Sequence, residues 1–410
     1  MERLDNSKHS PIQKHIVNRI SKEKRLAIVG GPGTGKTILA MSGMNKGDNS
    51  KQILLTYSNP LSKMIHGCSV ESDTVHRFCW QLGKKIEQKL NQFSFEYSHN
   101  YKSRKFIDVI NREYGYSKTG WPQWDNLYKA YSKLSESDKE EIRYNDIFID
   151  EGQDLPNEAF DFFSKIADRI IVTYDDAQEV GRENDDDSNT ELKRKAGIDC
   201  NRILCALGLQ ESFYDLIDNF RNTASIEKVA KLFYNNYGNT ALSLRPSICK
   251  RNIGTLPEVV LSKATQEIID KIADDAYQLN KQVGIIVPDQ ESFDSIKQLM
   301  DNAVDKRLIS ESKFFYKYGS VDNMKKADNL NQTGVFLTTY KSSKGMEFDE
   351  VYLFDCQKMP LNTPADKNKF YVAVTRAKDK LSFIFNCSYD NNCPVLDVIK
   401  EHENLFKIVR

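Results

Sequence analysis

Short apolar runs ending in polar, chemistry-bearing residues recur along this chain, separated by stretches whose apolar positions have helical spacing. Leu26–Val29, Gln52–Ser58, Asn145–Ile149 and Arg169–Tyr174 read as strands. Ser10-Pro11 opens a helix with Ser10 as N-cap, Pro11 at the first helical position and Gln13 at the third. From about residue 212 the alternation restarts. Phe213–Ile217, Val283–Val287, Val335–Thr339, Val351–Phe354 and Leu381–Phe385 are candidate strands, and Thr223–Tyr234, Ala264–Leu279 and Glu291–Met300 are candidate helices between them. Strands alternating with helices predict an α/β chain with parallel sheets in two domains, 1–211 and 212–410. The stretch from about 83 to 143 is rich in lysine, asparagine and tyrosine, with helical patterning and Trp121 and Trp124 bracketing Pro122. It reads as a small, mostly helical insertion in the first domain.

Composition narrows the classes. Lysine plus arginine and aspartate plus glutamate each total 58, so any basic groove for nucleic acid must be local. The mean hydropathy of −0.57 and a charged fraction of 28% describe a soluble protein. No run approaches the roughly 18 apolar residues of a membrane span, and the first residues have no apolar signal core. The expectation is a cytoplasmic protein with no membrane partner. Eight thinly spread cysteines without a C-x-x-C pair suit reduced thiols better than zinc or disulfides. The acidic Glu183–Thr190 has too little apolar content to order itself and reads as a solvated loop.

The chemistry starts at Gly30-Gly31-Pro32-Gly33-Thr34-Gly35-Lys36-Thr37, which follows an apolar strand and opens a helical pattern. The spacing is that of a phosphate cradle, G-x-x-x-x-G-K-[ST]. Glycines let consecutive N–H groups approach one anion, and the helix N-terminus adds its dipole. Lys36 would reach the β- and γ-phosphates of ATP, and the Thr37 hydroxyl would ligate Mg²⁺. A second apolar strand ends in Asp150-Glu151. Beside a phosphate cradle, such an aspartate holds Mg²⁺ and the following glutamate polarises the attacking water. Asp175 and Gln178 end the next strand and belong to the same ligand edge. Gln13 has two readings, a capping-box partner of Ser10 or an amide that reads adenine.

Taken in order, the P-loop, Thr56-Tyr57-Ser58-Asn59, Thr74-Val75-His76, Asp150-Glu-Gly-Gln-Asp154, Asp175-Asp-Ala-Gln178, Asn219-Phe-Arg-Asn222, Thr339…Lys344-Gly-Met-Glu-Phe348 and Tyr371-Val-Ala-Val-Thr-Arg-Ala377 resemble the superfamily 1 helicases of the UvrD/Rep/PcrA type. The resemblance spans nearly the whole chain. It implies two RecA-like P-loop NTPase-type domains, with ATP and Mg²⁺ between them and single-stranded DNA, or RNA, across both. It implies an adenine contact for Gln13, adenine stacking for Phe220 and γ-phosphate contacts for Gln178, Arg221 and Arg376. Glu347 would touch the ribose, and Tyr57, Asn59 and His76 the strand. Lys341 stands where a histidine is common in the family and offers a phosphate contact instead.

Three departures bear on activity. The second-domain insertion is missing, since Met300 has only a short link to Val335; Tyr174 replaces the glycine of the G-D-x-x-Q box; and Lys341 replaces the histidine. Two functions follow. One is a compact 3′→5′ DNA translocase or helicase. The other is an ATPase gated by nucleic acid or a partner, without unwinding, that works beside a nuclease in repair or anti-phage defence.

Overall fold

A computed structural model of the chain describes residues 9–44, 51–56, 70–90, 124–175, 200–209, 213–234, 248–262, 265–318, 321–322, 333–340, 342–389 and 391–409. By internal contacts the chain divides into two units. The first is drawn from residues up to Leu216; the second starts at Ile217, and Gly31–Gly35 group with it.

In the first unit, β1 (Arg25–Gly30), β2 (Gln52–Thr56), β3 (Ser72–Thr74), β4 (Tyr144–Ile149), β5 (Ala167–Tyr174) and β6 (Phe213–Leu216) form one sheet in the order β3-β2-β4-β5-β1-β6. Every pairing in it is parallel. Parallel strands are buried on both faces, which is why β2 and β4 are apolar runs rather than alternating ones. The helices Pro11–Ile20 and Lys36–Gly43 contribute Ile16, Ile20, Leu39 and Met41 to a core with Ile28, Leu54, Phe148 and Ile171.

A second, aromatic cluster joins the helices Val75–Leu90, Trp124–Ser132 and Asn157–Ile166. Trp124 meets Phe163 edge-on at 5.6 Å, and Phe78 meets Tyr144 at 5.4 Å. What is described of residues 83–143 is thus helical and packed through rings, with Glu136–Ile142 the last of its helices before β4.

The second unit has a two-stranded parallel pair, β7 (Asp218–Asn219) with β8 (Ile248–Cys249). Its main sheet contains β9 (Glu258–Leu261), β10 (Gln282–Val287), β11 (Phe314–Tyr318), β12 (Val321–Asp322), β13 (Gly334–Thr339), β14 (Phe348–Leu353), β15 (Ala377–Phe385) and β16 (Lys407–Val409). The order is β12-β11-β13-β10-β14-β15-β9-β16, parallel except where β11 meets β12. One core holds Ile269, Ile272, Phe293 and Ile296 from the helices Thr265–Gln278 and Gln290–Asp305. Another holds Val229, Phe233, Phe370 and Leu396.

Two expectations change. Phe213–Leu216, read as opening the second domain, pairs with β1 in the first sheet, Ile28 opposite Tyr214. An apolar run does not say which sheet it joins; that is set by which neighbour offers unpaired backbone groups. The link from Met300 to Val335 also contains β11, a strand of the main sheet beside β13. Its Phe-Phe-Tyr-Lys-Tyr sequence is rich in strand-forming aromatics but short and without period-2 polarity. The expected Glu183–Thr190 loop lies outside the described residues, as does Trp121.

Gly284 on β10 is required by packing. A Cβ there would lie 2.4 Å from Cδ2 of the buried Phe348 on β14. Gly284→Ala is expected to lower stability by about 1–3 kcal/mol through overpacking, read as a lower denaturation midpoint in urea.

Candidate functional site

Two clusters of polar side chains stand at strand ends, one in each unit. In the first, β1 ends at Gly30 and the helix starts at Lys36. The connecting loop uses φ of +73° at Gly33 and +87° at Gly35, the left-handed region that glycine enters without steric cost. This leaves Lys36 at the helix start, its side chain 7% exposed. The ammonium donates to the Gly30 carbonyl at 2.7 Å and lies 3.8 Å from the Asp175 carboxylate.

Asp150, 2% exposed, follows β4. The Thr37 hydroxyl donates to its Oδ2 at 2.5 Å, and the Thr173 hydroxyl donates to its Oδ1. The register pairing Ile149 with Val172 brings Thr173 alongside. Burial pushes the Asp150 carboxyl above its ordinary range, the neighbouring Glu151 charge adds to this, and the two hydroxyls and Lys36 oppose it.

Glu151 holds a left-handed backbone, φ +59°. Such a conformation costs a residue with a Cβ roughly 1–2 kcal/mol. Gln153 secures the turn: its Nε2 donates to Glu151 Oε2 at 2.5 Å, and its Oε1 accepts the Asp175 N–H at 3.1 Å.

Lysine, hydroxyl and buried carboxylate at one strand edge suit a nucleotide triphosphate carrying a divalent cation. Magnesium takes one or two carboxylates, with phosphate oxygens and water completing its shell. Among the described residues no group of three or more His, Cys, Asp or Glu could hold a metal ion. Asp150 and the Thr37 hydroxyl fit that part of the shell.

The second cluster ties three sequence boxes together. Asn219 Oδ1 accepts the N–H groups of Arg221 at 2.9 Å and Asn222 at 3.3 Å. The Asn222 amide in turn donates to the carbonyls of Thr375 at 3.2 Å and Ala377 at 2.5 Å. Arg376 is 1% exposed; its guanidinium donates to the Val372 carbonyl at 2.8 Å, the Met346 carbonyl at 3.1 Å and the Thr375 hydroxyl at 3.2 Å. Arg221 Nε donates to Glu347 Oε2 at 3.0 Å. Phe220 is 45% exposed.

The structure thus brings together Lys36, Thr37, Asp150 and Glu151 in one cluster, and Arg221, Glu347 and Arg376 in the other. Gln13 forms the capping box, accepting the Ser10 N–H at 2.9 Å while its own N–H donates to Ser10 Oγ at 3.3 Å. His76, half-buried, sits in the first turn of Val75–Leu90. Tyr57, Asn59, Gln178 and Lys341 lie outside the described residues. Sequence reading missed Thr173 and quoted Gln153 only within the Asp150–Asp154 box, without a role. Thr173 looks like an ordinary strand former, and the β4–β5 register alone reveals its partner.

A buried carboxylate pushed up in pKa is destabilising when ionised, and more so as pH rises past the ordinary carboxylate range. Asp150→Asn is therefore expected to melt a few degrees higher than the native chain at pH 8 without nucleotide or metal, with a smaller gain at pH 5. Thermal melts at the two pH values check this; a gain independent of pH would remove the charge as its cause.

Comparison with known proteins now bears on these clusters. The model of the AAA domain matches residues 13–181, and that of the UvrD-like helicase C-terminal domain matches residues 316–388. No curated protein sequence matches. Among solved structures, the C-terminal domain of a possible DNA helicase from Lactobacillus plantarum WCFS1 is similar over 46% of this chain and 98% of that one, at 16% identity and a TM-score of 0.32. No helix among the described residues is long and apolar enough to cross a membrane. With the P-loop inside the stretch that matches the AAA domain and the Thr375-Arg376-Ala377 box inside the stretch that matches the UvrD-like helicase C-terminal domain, the two matches together support a UvrD-like helicase, an ATP hydrolase that acts on DNA.

Proposed function

We propose that this chain is a compact cytoplasmic motor that steps 3′→5′ along single-stranded DNA, coupling each step to one cycle of ATP hydrolysis. The observation that carries the reading is the Thr37–Asp150–Thr173 arrangement with Lys36 beside it. Hydroxyl, carboxylate and ammonium converge there from three separate elements, in the combination a magnesium nucleotide needs. The direction of travel rests on the family resemblance.

In this reading Gly31, Pro32, Gly33, Thr34 and Gly35 wrap the phosphates, and Lys36 neutralises charge on the β- and γ-phosphates. Thr37 and Asp150 would hold magnesium, which when bound would offset the phosphate charge. Glu151 orients and deprotonates the attacking water. Gln13 and Phe220 take the adenine, Glu347 the ribose, and Gln178, Arg221 and Arg376 the charge that develops on the γ-phosphate. Tyr57, Asn59, His76 and Lys341 contact the strand by stacking and phosphate pairing, which tolerates any sequence and so suits a translocase.

Steady-state ATPase rates with single-stranded DNA, single-stranded RNA, blunt duplex or no nucleic acid test the proposal. Strong stimulation by single-stranded DNA is expected. Lys36→Ala should lower turnover by about 10²-fold or more, and Glu151→Gln should bind ATP yet turn over about 10²-fold or more slowly. Hydrolysis that depends on Lys36 but ignores every nucleic acid would replace the motor by a partner-gated ATPase. A nuclease would then be the partner to seek by co-purification.

A further inference from the structure

The two oxygens of Asp150 are not equivalent. Oδ1 accepts two hydrogen bonds, one from the Thr173 hydroxyl and one from the Glu151 N–H at 3.1 Å. Oδ2 accepts one, from the Thr37 hydroxyl at 2.5 Å. An ionised carboxylate has about two lone pairs on each oxygen, so Oδ1 is filled and Oδ2 keeps one to give. The Thr37 hydroxyl uses its single O–H on Oδ2 and keeps acceptor lone pairs of its own. The open lone pairs therefore belong to two neighbouring atoms, Thr37 Oγ1 and Asp150 Oδ2.

Packing holds both donors to Oδ1 in place. Thr173 is fully buried and follows Ile170-Ile171-Val172, where a valine would meet the same packing need. Its hydroxyl is a buried polar group that requires a partner, and Asp150 Oδ1 is that partner. The β4–β5 register sets Ile149 opposite Val172 and so brings residues 150 and 173 side by side. The turn after Asp150 is pressed onto the same strand: a Cβ on Gly152 would lie 2.4 Å from Val172 Cγ1 and 3.5 Å from the Thr173 carbonyl oxygen. A β-branched side chain such as Thr173 is also stiff at χ1.

We propose that Thr173 selects the divalent ion: by filling Oδ1 it confines Asp150 to ligation through Oδ2 alone, which suits magnesium and disfavours calcium. The proposal rests on the role given above to Asp150 and Thr37. Magnesium requires a near-octahedral shell with one or two carboxylates and several waters, whereas calcium takes about six to eight oxygens and accepts bidentate carboxylates. Gripping an ion with both oxygens needs a lone pair on each, and Oδ1 has none to give while Thr173 and the Glu151 N–H occupy it. Removing the Thr173 hydroxyl frees a lone pair on Oδ1 and loosens the orientation of the carboxylate. The first effect opens the bidentate mode that calcium uses, and the second weakens the one-oxygen mode that magnesium uses.

The test is the affinity of the full chain for a fluorescent, non-hydrolysable ATP analogue, measured with excess Mg²⁺, with excess Ca²⁺ and with EDTA. It compares the native protein with Thr173→Val, Thr173→Ser and Asp150→Asn. Native protein is expected to bind tightest with Mg²⁺. Thr173→Val should lose about tenfold in affinity with Mg²⁺, the scale of removing a group that orients a metal ligand, and less than about threefold with Ca²⁺ or EDTA. Thr173→Ser keeps the hydroxyl and should stay within about threefold of native in all three conditions.

Equal losses from Thr173→Val in all three conditions would overturn the proposal, because a hydroxyl that only supports the fold does not distinguish ions. So would a loss in Thr173→Ser as large as that in Thr173→Val. If Thr173→Val fails to fold, Thr173→Ala lacks the same hydroxyl, and the same pattern is required of it. Asp150→Asn separates the role of Thr173 from that of Asp150. If that variant keeps the native advantage of Mg²⁺ over EDTA, the role of Asp150 falls and the proposal with it. If Asp150→Asn abolishes the advantage while Thr173→Val retains it in full, the role of Thr173 alone is overturned.

Discussion

The first unit is organised by the need to keep a carboxylate buried. Asp150 lies at the end of a strand whose preceding residues are fully packed, so water cannot solvate the charge. Its oxygens are satisfied by two hydroxyls and a backbone N–H: Thr37 from the P-loop helix, Thr173 from the neighbouring strand, and the amide of Glu151. Each donor fixes something else. Thr37 sets the angular position of the helix that carries Lys36, and Thr173 requires the observed β4–β5 register. The amide of Glu151 constrains the turn that holds a residue with a Cβ at positive φ. A charge so enclosed is destabilising on its own terms, and the proposed function gives it a reason, a cation and a polyanion received together.

The turn after β4 has a counterpart in the second unit. Asp355 follows β14 at φ +52°, as Glu151 follows β4 at φ +59°, and a single 3₁₀ turn comes next in both. In both, the glutamine two residues on bonds back to the acid: Gln153 to Glu151 at 2.5 Å and Gln357 to Asp355 at 3.0 Å. The same glutamine carbonyl then accepts the N–H of the residue just past the adjacent strand, Asp175 in one case and Asn386 in the other, each at 3.1 Å. The device solves a general problem of parallel sheets. Chains leaving neighbouring strands at the same edge have backbone groups with no ladder partner, and a side-chain amide with donor and acceptor can serve two of them. In the second unit Asp355 accepts from the Ser292 hydroxyl at 2.6 Å instead of standing beside a P-loop.

That likeness is invisible in the sequence because it consists of one acidic residue, one glutamine and a strand end, too little to register as a repeat. The same limit explains what else could and could not be read. The P-loop and the Asp150–Asp154 box are legible because chemistry dictates several residue types at fixed spacing. The strands β1, β4, β5, β10, β13 and β14 are legible because burial on both faces demands continuous apolar runs. Membership of a sheet is not legible, so Phe213–Leu216 was assigned to the wrong neighbour and β11 was read as a link. Nor are pairs such as Thr173 with Asp150, which depends on the β4–β5 register, or Lys378 with Glu347, 3.3 Å apart beside the β14–β15 bulge, since no local pattern announces either. Gln13 is a case where two readings share one residue: the capping contacts are present, and its adenine role belongs to the proposed nucleotide complex.

The two arginines of the second unit differ in how they are held, and the difference bears on how such an enzyme is controlled. Arg376 is enclosed, with backbone carbonyls of Val372 and Met346 and the Thr375 hydroxyl accepting from it. Carbonyl contacts of that kind move only when the main chain moves, so Arg376 can respond only with the Tyr371–Ala377 segment as a body. Arg221 sits in a partly buried ion pair with Glu347, made by side chains alone, so a side-chain rotation can break and remake it. One arginine is therefore a fixture of the fold and the other a movable charge. In the proposed function, where both arginines serve ATP hydrolysis, the fixture would set the geometry and the movable charge the timing.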